Sequence, residues 1–107
     1  MPTIYLIESI RDYDTVYKIG YTKSNNAKKR LIQSQTGNDG NLKIVCEFNT
    51  KYGTTLEKTL HNFYKHNNIR NEWFSLSNED ITNFIKNCER VEKNFDFLKE
   101  SNNYFFK

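Results

Sequence analysis

The sequence predicts a small α+β domain in the order ββαβα, with one further C-terminal helix. Three observations predict it. Runs of β-branched and aromatic residues alternate with smaller or polar ones around Tyr5, Tyr17 and Ile44, the period of half-buried strands. Two later stretches repeat apolar residues at helical spacing, from Leu56 and from Ile81. Short breaks rich in Asn, Gly and Ser separate these segments.

Thr3-Ile4-Tyr5-Leu6-Ile7-Glu8 reads as a first strand, apolar enough on both faces to be covered. Ser9 to Asp14 is a polar connection of hairpin length. The second strand runs from about Thr15 to Thr22, with Tyr17, Ile19 and Tyr21 on one face and Val16, Lys18, Gly20 and Thr22 on the other. That second face sets a lysine beside a bare glycine. A glycine inside a strand marks a bulge or a close approach to the backbone.

Ser24-Asn25-Asn26 can cap a helix that runs to about Gln35, with Arg30 near its middle. Thr36 to Asn41 breaks it, and Leu42 to Phe48 alternates as a third strand with Leu42, Ile44, Cys46 and Phe48 inward. Thr54-Thr55-Leu56-Glu57 has the spacing of a capping box. The helix it opens carries Leu56, Leu60, Phe63 and Tyr64 on one side, and puts Glu57 one turn from His61. His66 to Asn71 is a polar stop, followed by the short apolar segment Glu72 to Leu76. Ser77 with Glu79 and Asp80 starts a last helix, about residues 78–100, striped by Ile81, Phe84, Ile85, Cys88, Val91, Phe95 and Leu98. The aromatic tail Tyr104-Phe105-Phe106 either packs back or offers a surface to a second copy.

At 107 residues the chain is expected to form one domain across 1–107, with its core in 3–76. Eight Phe, seven Tyr and one Trp offset a modest apolar content, because each buries a large area. A net charge of +3 permits a nucleic-acid partner without demanding one. Cys46 and Cys88 form no CxxC pattern and read as reduced core thiols. No apolar run is long enough to span a bilayer and no signal-peptide layout opens the chain, so a soluble intracellular protein without a membrane partner is expected.

The polar residues that carry chemistry come from three separate elements. They are Tyr5 and Lys18 on the first two strands, Arg30 on the first helix, and Glu57 with His61 on the second. Each has a plain structural alternative. Tyr5 could edge the core, Lys18 and Arg30 could be solvated, Glu57 could serve only its capping box, His61 could be a satisfied helix histidine, and Glu72 could pair with Arg70 or a lysine. Lys23, Lys28 and Lys29 could be ordinary surface.

Taken in order, Ile4-Tyr5, Lys18-Ile19-Gly20-Tyr21-Thr22, Arg30, Glu57-Lys58-Thr59-Leu60-His61 and Glu72-Trp73-Phe74 resemble the GIY-YIG nuclease superfamily. The nearest likeness is to its T5orf172 and MUG113-like branch, in which the second half-motif reads Tyr-Lys-Ile-Gly. The resemblance covers roughly Thr3 to Leu76. It implies a three-stranded antiparallel sheet flanked by helices, and DNA phosphodiester hydrolysis with one Mg²⁺ or Mn²⁺ ion.

Carried onto this sequence, the resemblance makes Tyr5 a water-orienting or general-base group, Arg30 the phosphate-stabilising cation, and Glu57 the metal ligand. Lys18 stands where the superfamily usually has its second tyrosine. Tyr17, Tyr21, His61 and Glu72 would support these groups, and Lys23, Lys28 and Lys29 would meet the DNA backbone. Thr3 replaces the first glycine of the motif. Duplex or branched DNA is the expected partner, and a homodimer would let a one-cut site sever both strands. The chemistry is consistent: a hard cation suits carboxylate oxygen, and a guanidinium fork suits a phosphate gaining charge. The alternative is a module of the same fold that binds nucleic acid without cutting it. The catalytic reading requires Tyr5, Arg30 and Glu57 to converge on one hollow, and Arg30 and Glu57 on opposite sides of the sheet would end it.

Overall fold

The structure is a computed structural model and describes residues 2–24, 27–35 and 41–100. Strands β1 (Thr3–Ile10) and β2 (Thr15–Thr22) form an antiparallel hairpin in continuous register from Thr3↔Thr22 to Ile10↔Thr15. Its turn is tied by Arg11, whose N–H donates to the Asp14 carbonyl and whose guanidinium grips the Asp14 carboxylate at 2.7 and 2.6 Å. Helix α1 (Lys28–Gln35) follows, then strand β3 (Asn41–Asn49) on the other side of β1. Helix α2 (Gly53–Phe63) ends in a short 3₁₀ turn at Lys65–Asn67.

Two more strands come next, β4 (Asn68–Arg70) and β5 (Trp73–Phe74), so the sheet has five antiparallel strands in the order β3-β1-β2-β5-β4 rather than the expected three. The polar stop and the apolar segment after it turn out to be the two arms of one hairpin. Asn71 makes its bend at φ 51°, a conformation asparagine tolerates better than most residues. Arms of three and two residues are too short to show a period of two.

The sheet is covered on both faces. Ile4, Leu6, Tyr17 and Ile19 point toward α2 and toward α4 (Phe84–Glu100), where Leu56, Leu60, Phe74, Phe84, Cys88 and Phe95 complete a buried cluster. Tyr5, Ile7 and Leu42 point the other way, against Ala27 and Leu31 at the start of α1. The strict alternation of β1 and β2 produces this division, as their sequence predicts. β3 departs from it. Its register with β1 slips between Leu6↔Cys46 and Ile7↔Ile44, leaving Val45 as an extra residue. Leu42 and Ile44 therefore face α1 while Cys46 and Phe48 face α2 and α4, instead of all four sharing a face.

The last helix is two pieces, α3 (Asn78–Thr82) and α4, separated at Asn83. A capping box starts α3, with Ser77 and Asp80 each accepting the other's backbone N–H. α4 packs on the core with Phe84 and Cys88 fully buried. Its outer edge is held by the Thr50 hydroxyl donating to Glu92 at 2.6 Å, the Tyr52 hydroxyl donating to Asp96, and a Lys51–Asp96 ion pair at 3.0 Å. Both cysteines are free thiols. The tail from residue 101 on lies outside the described residues, as does the break at 36–40. Among the described residues no helix is long and apolar enough to cross a membrane.

Candidate active site

Tyr5 and Gly20 lie directly opposite each other in the β1–β2 register. The Tyr5 ring crosses above Gly20, and a β-carbon there would sit 2.3 Å from both its hydroxyl oxygen and its Cζ. The bare glycine on this face is thus the slot in which the phenol, itself buried, lies over β2.

The far edge of β2 is incompletely paired. β5 pairs with β2 only at Tyr17 and Lys18. Beyond them the Ile19 N–H donates to the Glu72 carbonyl at 3.1 Å, and the Ile19 carbonyl accepts from His61 Nε2 at 2.8 Å. His61 is held by this bond and by edge-on contact with Phe74, ring centroids 5.1 Å apart. One turn back along α2 stands Glu57. α2 starts at Gly53 with Tyr52 at its N-cap and no side-chain cap bond, so the expected Thr54–Glu57 capping box is not formed. The helix can approach this closely because Gly53 has no side chain: a β-carbon there would lie 2.7 Å from the Tyr21 ring.

Glu57, His61 and Glu72 each offer one ligand atom, all within 4.8 Å of one another. Burial pushes the Glu57 carboxyl above its ordinary range. The Glu72 charge and a hydrogen bond that protonated Glu57 donates to Glu72 push the same way, while His61 and Lys18 oppose them. Lys18 Nζ lies 3.7 Å from the Glu72 carboxylate, on a side chain 17% exposed. The Tyr5 phenol is pushed up to about 12, first by burial and then by Glu72, against a lowering effect of Arg30.

Arg30 sits in the first turn of α1 rather than its middle, is exposed, and donates to Gln33 Oε1 at 3.3 Å. α1 and α2 pack on opposite faces of the sheet, so Arg30 and Glu57 do not descend from one layer. Their charges nevertheless both act on the Tyr5 phenol, Arg30 lowering it and Glu57 raising it, so the two groups share one hydroxyl although their helices lie on opposite faces.

Tyr17 and Tyr21 are not brought to this place. Alternation turns them to the α2 face, where Tyr17 is buried and donates to Glu8 at 3.3 Å. Lys23, Lys28 and Lys29 are exposed, between the end of β2 and the first turn of α1 beside Arg30. Sequence reasoning missed Glu47, whose carboxylate accepts the Ala27 N–H at 3.0 Å. Only the bulge-shifted register, which sets Glu47 opposite Tyr5, reveals it. Two surface hollows, one at Ile10–Asp14 and one between Phe63 and Arg90, include none of these residues.

A family model described as the T5orf172 domain matches residues 2–94. No curated protein and no solved structure matches the chain.

Proposed function

The chain belongs to the T5orf172 domain family, a nuclease-like family, and we propose that it is a metal-dependent DNA endonuclease with a single-metal site of the GIY-YIG type. The observation that supports this most is the meeting of Tyr5, Lys18, Glu57, His61 and Glu72 at one edge of β2, with Arg30 in electrostatic reach.

The donor set fits a divalent ion. Glu57 and Glu72 supply carboxylate oxygens, the ligands Mg²⁺ and Mn²⁺ prefer. The Ile19 carbonyl can only accept, so His61 Nε2 donates to it and Nδ1 is the nitrogen left to meet an ion, the arrangement a second-layer carbonyl imposes on ligating imidazoles. An ion held there would offset the charge growing on the phosphate and acidify a water molecule.

The chain's own groups do the rest. A phenol that titrates at about 12 stays protonated at neutral pH, so Tyr5 works by donating a hydrogen bond that orients water or a phosphate oxygen. Arg30 presents its guanidinium to the phosphate. Lys18 adds a second cation beside Glu72, and Lys23, Lys28 and Lys29 follow the DNA backbone without reading sequence. A homodimer inside the cell would bring two such sites to one duplex, and light scattering under cleavage conditions tests that: a strict monomer excludes it.

A second reading, a nucleic-acid-binding module without catalysis, draws on Lys18 in the position of the superfamily's second tyrosine and on its ion pair with Glu72. Plasmid and branched DNA incubated with Mg²⁺, Mn²⁺ or EDTA separate the two. Metal-dependent nicking abolished by Glu57→Ala and cut by about 10²–10³ in Arg30→Ala supports the enzyme. Gel shift without nicking supports the binder. Nicking unchanged in both variants rejects the site.

A further inference from the structure

Side chains from the strands hold the start of α1, and the expected cap at Asn25 and Asn26 lies outside the described residues. Its first turn holds no acidic residue; it holds Lys28, Lys29 and Arg30, three cations at the end of a helix where the dipole disfavours them. Ala27 is the N-cap, since its carbonyl accepts the Leu31 N–H at 2.9 Å, and it is fully buried against the sheet. Its N–H donates to the Glu47 carboxylate at 3.0 Å. A carboxylate at this point satisfies an orphan donor and offsets the three cations together. Farther back, the buried Thr3 hydroxyl lies 2.8 Å from both the Ser24 carbonyl oxygen and Asn49 Oδ1. The connection from β2 to α1 is thus clamped at Ser24 and at Ala27 by residues of β1 and β3.

We propose that Glu47 is a positioning residue for Arg30: by taking the Ala27 N–H it fixes where α1 begins against the face of the sheet on which Tyr5 packs with Ala27, and so sets where the guanidinium stands relative to Tyr5. Glu47 can do this because it occupies the β3 position paired with Tyr5, so one stretch of sheet sets both the phenol and the helix that brings the cation. The consequence for catalysis rests on the nuclease reading; the consequence for Arg30's place does not.

The experiment is a double-mutant cycle on the full chain. Glu47→Ala lowers the rate of metal-dependent nicking at saturating DNA by about tenfold, the rate equivalent of one lost cap felt wholly at Arg30. Glu47→Gln, which still offers an acceptor oxygen, restores most of it. In an Arg30→Ala background Glu47→Ala costs nothing further, because the group it positions is gone. A losing outcome is an additive loss in that background, or a Glu47→Ala rate equal to wild type well below the melting temperature. NMR of the Tyr5 ring at neutral pH gives the readout that needs no cleavage. Glu47→Ala moves its resonances in the direction Arg30→Ala does, and Glu47→Gln leaves them in place. If wild type never nicks DNA but the ring shifts follow this pattern, the nuclease reading fails and the positioning role stands. If the shifts in Glu47→Ala match wild type, the positioning role fails whatever the protein cleaves.

Discussion

The Tyr5 hydroxyl occupies space that a β-carbon on Gly20 would need, with 2.3 Å between them. Because Cζ is equally close, the ring cannot simply swing its tip aside. Gly20→Ala must push a buried aromatic out of its slot, and overpacking of this kind costs about 1–3 kcal/mol. Urea melts should show that loss. DNA nicking should fall further than stability explains, since the displaced phenol no longer lies over β2. Full nicking activity in Gly20→Ala would mean that Tyr5 does not act from this slot.

Much of this arrangement is legible in the sequence, and the exceptions have physical causes. The β1 and β2 faces follow from alternation, and the odd juxtaposition of Lys18 and Gly20 correctly marks a place where something crosses the backbone. The Val45 bulge was not legible, because a one-residue slip in pairing leaves the alternating pattern of β3 intact while turning half of it over. β4 and β5 were missed because strands of three and two residues are stabilised by the edge they join, not by a pattern of their own. The capping-box spacing at Thr54 misled for a similar reason: the close approach of Gly53 to Tyr21 sets the start of α2, and Glu57 is drawn to Glu72 and His61. Glu47 carries no local signal at all, since its partner, Ala27, lies in another element.

Glu57 predicts a pH dependence whose sign can be worked out. Its carboxyl is raised above 4.5, chiefly by burial and then by Glu72. The folded protein therefore holds this proton more tightly than the unfolded chain. Stability falls as pH rises from the ordinary glutamate value through the raised one, and levels off above it. Glu57→Gln lacks that decline. Urea melts of both proteins without metal, at about pH 4 and about pH 8, should show the variant gaining on wild type at the higher pH. Asp14 and Asp96 act oppositely, their carboxyls being lowered by partners, but they are common to both proteins and cancel in the comparison. Equal differences at the two pH values would mean Glu57 is not perturbed.

The Tyr5 phenol, pushed up to about 12, predicts the shape of the rate profile. A phenolate base would make nicking climb about tenfold per pH unit through neutrality. A protonated donor leaves the profile flat between about pH 7 and about pH 10 as far as Tyr5 is concerned. Tyr5→Phe should lower the rate by about 10²–10³ without altering that shape. A variant profile that loses a rising limb would instead identify Tyr5 as the base.

Lys18 separates ion binding from catalysis. Its ammonium stands 3.7 Å from the Glu72 carboxylate and also lowers the Glu57 carboxyl, so it competes with any cation that the pair would hold. Lys18→Met removes that competitor while keeping most of the aliphatic stem. Mn²⁺ affinity measured by calorimetry should rise by a few-fold, the scale of a modest coupling between neighbouring sites. Nicking should fall, because the phosphate loses a cation as the metal site gains one. The two changes run in opposite directions only if Lys18 serves the phosphate. Affinity and rate falling together would make the lysine a structural prop for Glu72, and a rise in both would make it an inhibitor of the site.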